Sequence, residues 1–186
     1  MYKLLQDMDI ENKRVILRCD LNVPMKDGTI LDDYKIISSL ETISYLLDNN
    51  CKIIILSHLG KIKNESDKKS KSLEVVAKKI KQLTHANVIF SKQTRNDALK
   101  DKVMMLKSKD ILILENTRYE DVPNKLESSC DMQLASFWAS LGEVFVMDAF
   151  GTSHRRHAST YGISRLLPTC IGFLIQKEVK MLKLLK

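Results

Sequence analysis

The sequence predicts an α/β fold with three layers, α/β/α, built on a mostly parallel, Rossmann-like sheet of about six strands in a single domain. Three observations predict it. Apolar runs of strand length recur along the 186-residue chain. They are nearly continuous rather than alternating, as in strands buried on both faces. Segments with helical spacing separate them, and strand–helix–strand repetition with short connections gives a parallel sheet covered on both sides. A chain of this length buries roughly 70% of its unfolded surface, so it needs no disulfide or metal to hold a core.

The elements follow in order. RVILRC (14–19) is the first strand. DDYKIISSLETISYLLDNN (32–50) places apolar residues at 36, 37, 40, 43, 46 and 47, one stripe at the 3.6-residue period of a helix. KIIILS (52–57) is the second strand, and KIKNESDKKSKS (61–72) is expected to be polar and mobile. A second helix is predicted over SLEVVAKKIKQL (72–83) and a third strand over NVIF (87–90). DILILEN (110–116) is the fourth strand. DMQLASFWASLG (131–142) reads as a helix with Gly142 as its C-terminal stop. EVFVMDAF (143–150) is the fifth strand. There is no internal repeat and no linker.

Composition narrows the function classes. Apolar content of 44% and charged content of 28% are those of a soluble globular protein. No apolar run approaches the ~20 residues of a membrane span. The start, MYKLLQDMDIENKR, has acids where a signal peptide has its apolar core, so a cytoplasmic location is expected. Cys19, Cys51, Cys130 and Cys170 are far apart, with no CxxC, and read as free thiols rather than metal ligands. The net charge of +7 fits an anionic partner, either nucleic acid or a small anionic metabolite. It equally fits a lysine-rich surface, as in KKSKS (68–72). Aromatic content is 6% and no aromatics interleave with the basic runs, which counts against a single-strand stacking platform.

In open parallel sheets, ligands bind beyond the carboxyl ends of the strands. The predicted strands are followed by DLNVP (20–24), SHLGK (57–61), SKQTR (91–95), ENTRYE (115–120) and DAFGTSHRRH (148–157). Four of these five ends carry Arg, His, Lys or Asn beside a Gly, Pro or Asp turn. Basic groups converging on one sheet edge suit a multiply charged anion, and the arginine fork suits phosphate or carboxylate. The densest cluster is His154 to His157. A metal site there would need His154 and His157 as ligands, against two interleaved arginines and with no carboxylate following. A Ser153–His154–Asp148 triad lacks the GxSxG elbow. An anion pocket accounts for the whole cluster, with one or two of the four residues left to structural roles.

Five segments, in this order, resemble the N-terminal domain of phosphoglycerate kinases. They are RCDLNVPMKDGTILDDYKI (18–36), SHLGK (57–61), LENTRYE (114–120), an interrupted match to LASLGEVFVMDAFGTSHRRHAST within 134–160, and GFLIQKEV (172–179). The resemblance implies a substrate-binding α/β domain over 1–172 and the start of an interdomain helix over 173–186, with the nucleotide-binding C-terminal domain absent. It implies binding of 3-phosphoglycerate or 1,3-bisphosphoglycerate by Arg18, Asp20, Leu21, Asn22, Lys35, His58, Leu59, Gly60, Lys61, Arg118 and Arg155. His154 and His157 line or support the site, and Arg156 lies outside it. Lys35 takes the catalytic position, where the family has arginine. Lys61 likewise replaces an arginine and Ile62 a proline. Mg-ATP or Mg-ADP is assigned by the resemblance to the absent domain, with no cofactor and no metal on this chain. The remaining expectations are a monomer whose partners are 3-phosphoglycerate and the absent domain, with no membrane or nucleic acid. The chain alone is expected to have no kinase turnover. The alternative is a non-catalytic member binding another anion, nucleic acid among them. The apolar residues Phe173, Leu174, Ile175, Val179, Leu182, Leu184 and Leu185 exceed what a half-exposed helix needs and imply a covered surface.

Overall fold

The computed structural model describes residues 3–184. Met1, Tyr2, Leu185 and Lys186, at the ends of the expected domain and helix, lie outside the described residues. In chain order the elements are β1 (Arg14–Cys19), β2 (Met25–Lys26), β3 (Thr29–Ile30), α1 (Tyr34–Asp48), β4 (Lys52–Leu56) and α2 (Glu74–Thr84). Then come β5 (Val88–Ser91), α3 (Asp97–Met104), β6 (Ile111–Leu114), α4 (Met132–Ala139), β7 (Val144–Asp148), β8 (Thr169–Ile171) and α5 (Phe173–Leu184). Six of these strands form one sheet in the order β5-β6-β4-β1-β7-β8, every neighbour parallel.

Burial on both faces explains the unbroken apolar runs. Val15, Leu17 and Cys19 of β1 point into a core shared with Ile36, Ile43 and Leu46 of α1 and Val76 and Ile80 of α2. Ile16 points the other way, to Leu99 and Val103 of α3 and Leu134 and Trp138 of α4. The three-layer α/β/α class read from the sequence is the observed one.

Four elements have no counterpart in the sequence reading. β8 is three residues behind Pro168, too short to register as an apolar run. α3, DALKDKVM, buries only Leu99 and Val103 and so shows little stripe. β2 and β3 form a hairpin around Asp27 and Gly28, both with positive φ, which is the Asp-Gly signature of a two-residue turn. Two expectations are corrected. The 61–72 segment is folded: a 3-10 turn (Glu65–Ser70) is closed by reciprocal Asn64 and Asp67 side-chain bonds, and the Tyr119 hydroxyl donates to the Lys68 carbonyl. Local capping by polar side chains supplies what the missing apolar residues do not. Gly142 is not a helix stop, since α4 ends at Ala139; a Cβ at position 142 would stand 2.6 Å from Ile16 Cγ1, so a close approach to β1 requires glycine there.

The start of α5 is tied to two layers. The Phe173 amide donates to Thr42 Oγ1 of α1 (3.0 Å) and the Ile175 amide to Asp148 Oδ1 at the end of β7 (3.2 Å). Phe173 meets the Tyr45 ring edge-on at 5.1 Å. Further along α5, Met181, Leu182 and Leu184 are exposed. Among the described residues no helix is long and apolar enough to cross a membrane.

Trp138 is fully buried and its indole N–H donates to the Thr94 carbonyl at 2.8 Å. Trp138→Ala is expected to lower unfolding stability by about 3–5 kcal/mol, read from urea denaturation.

Candidate functional site

The loops leaving β1, β4 and β6 are laced together by polar side chains at the strand ends. Ser57, just after β4, accepts the Leu21 amide on its hydroxyl (2.9 Å) and the Thr117 amide on its carbonyl (3.0 Å). Asn116, fully buried after β6, does more. Its Nδ2 donates to the carbonyls of Leu59 (2.7 Å) and Lys71 (2.9 Å). Its Oδ1 accepts from the amides of Leu59 (3.2 Å) and Arg118 (3.1 Å). Asn22 Oδ1 accepts from the Gly60 amide at 2.8 Å, and Gly60 takes a left-handed φ of 62°. Beside Asn116, Glu115 caps α2 by accepting from the Leu73 amide (2.8 Å) and the Ser72 hydroxyl (2.7 Å). The amides of Leu21, Leu59 and Gly60 are thus committed to the scaffold in this structure.

The charged residues sit on that scaffold. Lys35 Nζ, at the first turn of α1, donates to Asp20 Oδ2 at 2.9 Å, and Asp20 Oδ1 accepts from the Asn22 amide at 3.2 Å. Arg118 is largely buried and donates through Nη1 to Asp121 Oδ2 at 2.8 Å. Arg18 is 1% exposed and lies beneath the surface, on the α3–α4 face of the sheet. Its Nη2 meets His58 Nδ1 at 3.3 Å. A guanidinium only donates, so His58 Nδ1 must accept, and the ring proton of neutral His58 is on Nε2. Burial, reinforced by Arg18, Arg118 and Lys35, pushes the His58 pKa down to about 3. His157 is pushed down to about 4 by burial and then by Arg118, Arg18 and Arg155. Both rings are neutral near pH 7.

The His154–His157 cluster divides. His157 is buried, 3.8 Å from Glu127 Oε1 through Nδ1. His154, Arg155 and Arg156 are exposed and line a cleft of about 490 Å³ floored by Met147, Ile171 and Ile175. Arg156 lies 4.5 Å over the Tyr161 ring. Lys61 is exposed, and its carbonyl accepts from Lys71 Nζ at 2.6 Å. A second cleft of about 540 Å³ opens between Asn22, Gly60, the β2–β3 hairpin and Lys71. The structure therefore brings Asp20, Asn22, Lys35, His58 and Arg118 to one sheet edge above Arg18. It holds Arg155 and His154 on a neighbouring rim and leaves Lys61 facing solvent.

Sequence reasoning passed over Ser57, Asn116, Asp121 and Glu127. The first two lie inside the motifs SHLGK and LENTRYE, but as uncharged residues they draw no attention. Asp121, next to Glu120 at the end of a 3-10 turn, and Glu127, in the loop before α4, have no spacing that marks them.

Among the described residues no three His, Cys, Asp or Glu side chains assemble as a metal-ligand set. With Arg18, Arg118 and Lys35 converging here, the edge does not fit a divalent cation.

A family model described as "Phosphoglycerate kinase" matches residues 5–186. The chain belongs to the phosphoglycerate kinase family. It is 49% identical over 185 residues to the phosphoglycerate kinase of Fusobacterium nucleatum subsp. nucleatum, covering 98% of this chain and 46% of that protein. It is 48% identical over 181 residues to that of Enterococcus faecalis, covering 97% and 46%. Among solved structures, the phosphoglycerate kinase from Coxiella burnetii superposes with a TM-score of 0.84 at 33% identity, over 98% of this chain and 44% of that one. The phosphoglycerate kinase from Pyrococcus horikoshii OT3 gives 0.81 at 34% identity, over 97% and 44%. The chain spans about half the length of these family members, 46% in the first two.

Two expectations follow from the geometry. Asn116→Ala strands the Leu59 and Lys71 carbonyls and the Leu59 and Arg118 amides, and should lower stability by about 1–3 kcal/mol in urea unfolding. The second concerns acid. His58 and His157 have folded pKa values below that of an unfolded histidine, ~6.5. Their contribution is complete above that value and is lost as pH falls towards about 4 for His157 and about 3 for His58. Burial raises the pKa of Glu127 and Asp148 and works in the opposite sense over this window. Urea midpoints measured between pH 7 and 4 should therefore fall less in His58→Gln and His157→Gln than in the unaltered chain.

Proposed function

We propose that this chain is the acceptor-substrate half of a phosphoglycerate kinase, binding 3-phosphoglycerate or 1,3-bisphosphoglycerate for phosphoryl transfer to or from ADP or ATP in glycolysis. The observation that carries the reading is the convergence of Arg118, His58 and Lys35 beside Asp20 and Asn22 at the carboxyl edge of the sheet, with Arg18 beneath. 3-Phosphoglycerate has a carboxylate, a hydroxyl and a phosphate, so its site needs several donors and at least one acceptor. Arg118 and His58 Nε2–H serve as donors to the phosphate, and Arg155 closes on it from its rim. Asp20 accepts from the hydroxyl, with Asn22 beside it. Arg18 acts from behind by orienting His58. Leu21, Leu59 and Gly60 fix the loop positions. His154 lines the outer wall, and buried His157 supports the site from behind, beside Glu127.

Phosphoryl transfer is achieved by positioning and by stabilising spread negative charge. Lys35 supplies that stabilisation by exchanging Asp20 for the phosphoryl group in flight. Lysine brings a single point charge to a place where the arginine fork would make two bonds, so Lys35→Arg should raise the rate of the whole enzyme. Lys61 adds charge at the rim. The nucleotide would supply or receive the phosphoryl group, with magnesium on its phosphates; we assign both to the other half of the kinase, because the acids at this edge, Asp20 and Asp121, are already paired with Lys35 and Arg118. In this reading residues 1–172 are the substrate domain of a monomeric cytoplasmic enzyme, and the helix from 173 leads to its nucleotide domain.

A polypeptide of these 186 residues alone should give no turnover of 3-phosphoglycerate with ATP in a coupled assay. It should nevertheless bind 3-phosphoglycerate saturably by calorimetry, well above inorganic sulfate. Arg118→Ala or Arg155→Ala should weaken that binding about 10- to 100-fold, the range for losing a charge-assisted hydrogen bond. Binding no stronger than sulfate, or indifference to both changes, overturns the assignment.

A further inference from the structure

Behind the sheet edge lies a buried acid that the reaction itself does not call for. Glu127 is fully buried in the loop before α4. It accepts twice from one residue: the Ser159 amide at 2.9 Å on Oε2, and the Ser159 hydroxyl on Oε1. Its carbonyl accepts the Ala158 amide at 2.9 Å. The Ser159 hydroxyl, having given its proton to Glu127, accepts from Arg18 Nε at 3.0 Å. The other Arg18 nitrogens go to the Cys19 carbonyl and to His58 Nδ1. Every step has its direction set. Arg18 and the two Ser159 donors oppose the rise that burial imposes on the Glu127 pKa. Ionised Glu127 only accepts, so Ser159 must donate; its lone pairs then face Arg18, which only donates; Arg18 therefore gives its remaining edge to His58.

Charge favours the same chain. Burial pulls the Arg18 pKa down, and Glu127 is the strongest of the acids that hold it up. Glutamine cannot replace Glu127 without loss. Both of its partners are donors, and an amide presents an NH₂ to one of them.

We propose that Glu127, acting through Ser159 and Arg18, fixes which nitrogen of His58 carries the proton and is thereby a positioning residue for the anion site. His58 is left with Nε2–H as the donor it can offer. The same contacts fasten the segment after Arg155, so one buried carboxylate sets both a donor in the loop after β4 and the anchor of the loop after β7. The consequence for substrate rests on the reading under Proposed function; the relay itself does not.

The test is ¹⁵N NMR of the chain labelled at its four histidines, with His58 assigned through His58→Gln. The unaltered chain at pH 7 should show His58 as one neutral tautomer protonated at Nε2. Glu127→Gln and Ser159→Ala should each turn that signal into a mixture of tautomers. Each should also weaken 3-phosphoglycerate binding about tenfold, the size of one charge-assisted hydrogen bond. Ser159→Thr, which keeps the hydroxyl, should restore the single tautomer. A proton on Nδ1 in the unaltered chain overturns the proposal whatever the variants do. So does an unchanged Nε2–H signal in variants whose amide spectra show an intact fold. Changed tautomers in a chain that never binds 3-phosphoglycerate would sink the substrate reading and leave the relay standing.

Discussion

The parallel register of β1 between β4 and β7 is the constraint on which the site depends. Arg18 lies opposite Leu56 of β4 and Met147 of β7, and Cys19 lies opposite Asp148. Ile55 of β4 is in turn opposite Ile113 of β6. The central strands therefore end at one level, and their loops emerge side by side. A shift by one residue would turn Arg18 to the other face and send Ile16 with it. The buried apolar set on both faces forbids that slip. The geometry of the candidate site is held here by hydrophobic burial acting at a distance, through the pleat.

Much of this fold is legible in the sequence because its signals are redundant. The β1, β4, β6 and β7 runs are dense in Val and Ile, and α1 carries a clean apolar stripe. What cannot be read is whatever owes its existence to something other than burial. The turn at 65–70 exists because Asn64 and Asp67 satisfy its first amides, and β8 because β7 offers it a ladder. α3 lies against the sheet through two side chains. Of the candidate site, the charged residues stand out by type and by their place at strand ends. The uncharged Ser57 and Asn116 do not, although they make the contacts that bring the loops together. Glu127 is beyond reach in principle, since its role depends on a contact with Ser159, 32 residues away.

The site mixes signs rather than stacking cations. Lys35 rests on Asp20, Arg118 on Asp121, and Arg18 is balanced through Ser159 by Glu127. Without these acids three cations in so small a space would oppose one another and the fold. The two histidines contribute by staying neutral, offering hydrogen bonds without adding charge. This explains why a chain with a net charge of +7 need not carry that excess at its site.

The bonding between the loops also draws a map of where the sequence is free to change. Asn22, Ser57 and Asn116 each bridge two or more chain segments, so altering one disturbs several at once, and their effects will not add independently. Lys61 belongs to a different class. Its side chain stands in solvent, and only its carbonyl is engaged. Lys35 is attached by its tip alone, through a side chain 43% exposed. Lys35 and Lys61, where the resemblance implies arginine, thus sit where the mesh is open, so an exchange at either leaves the framework around it fixed.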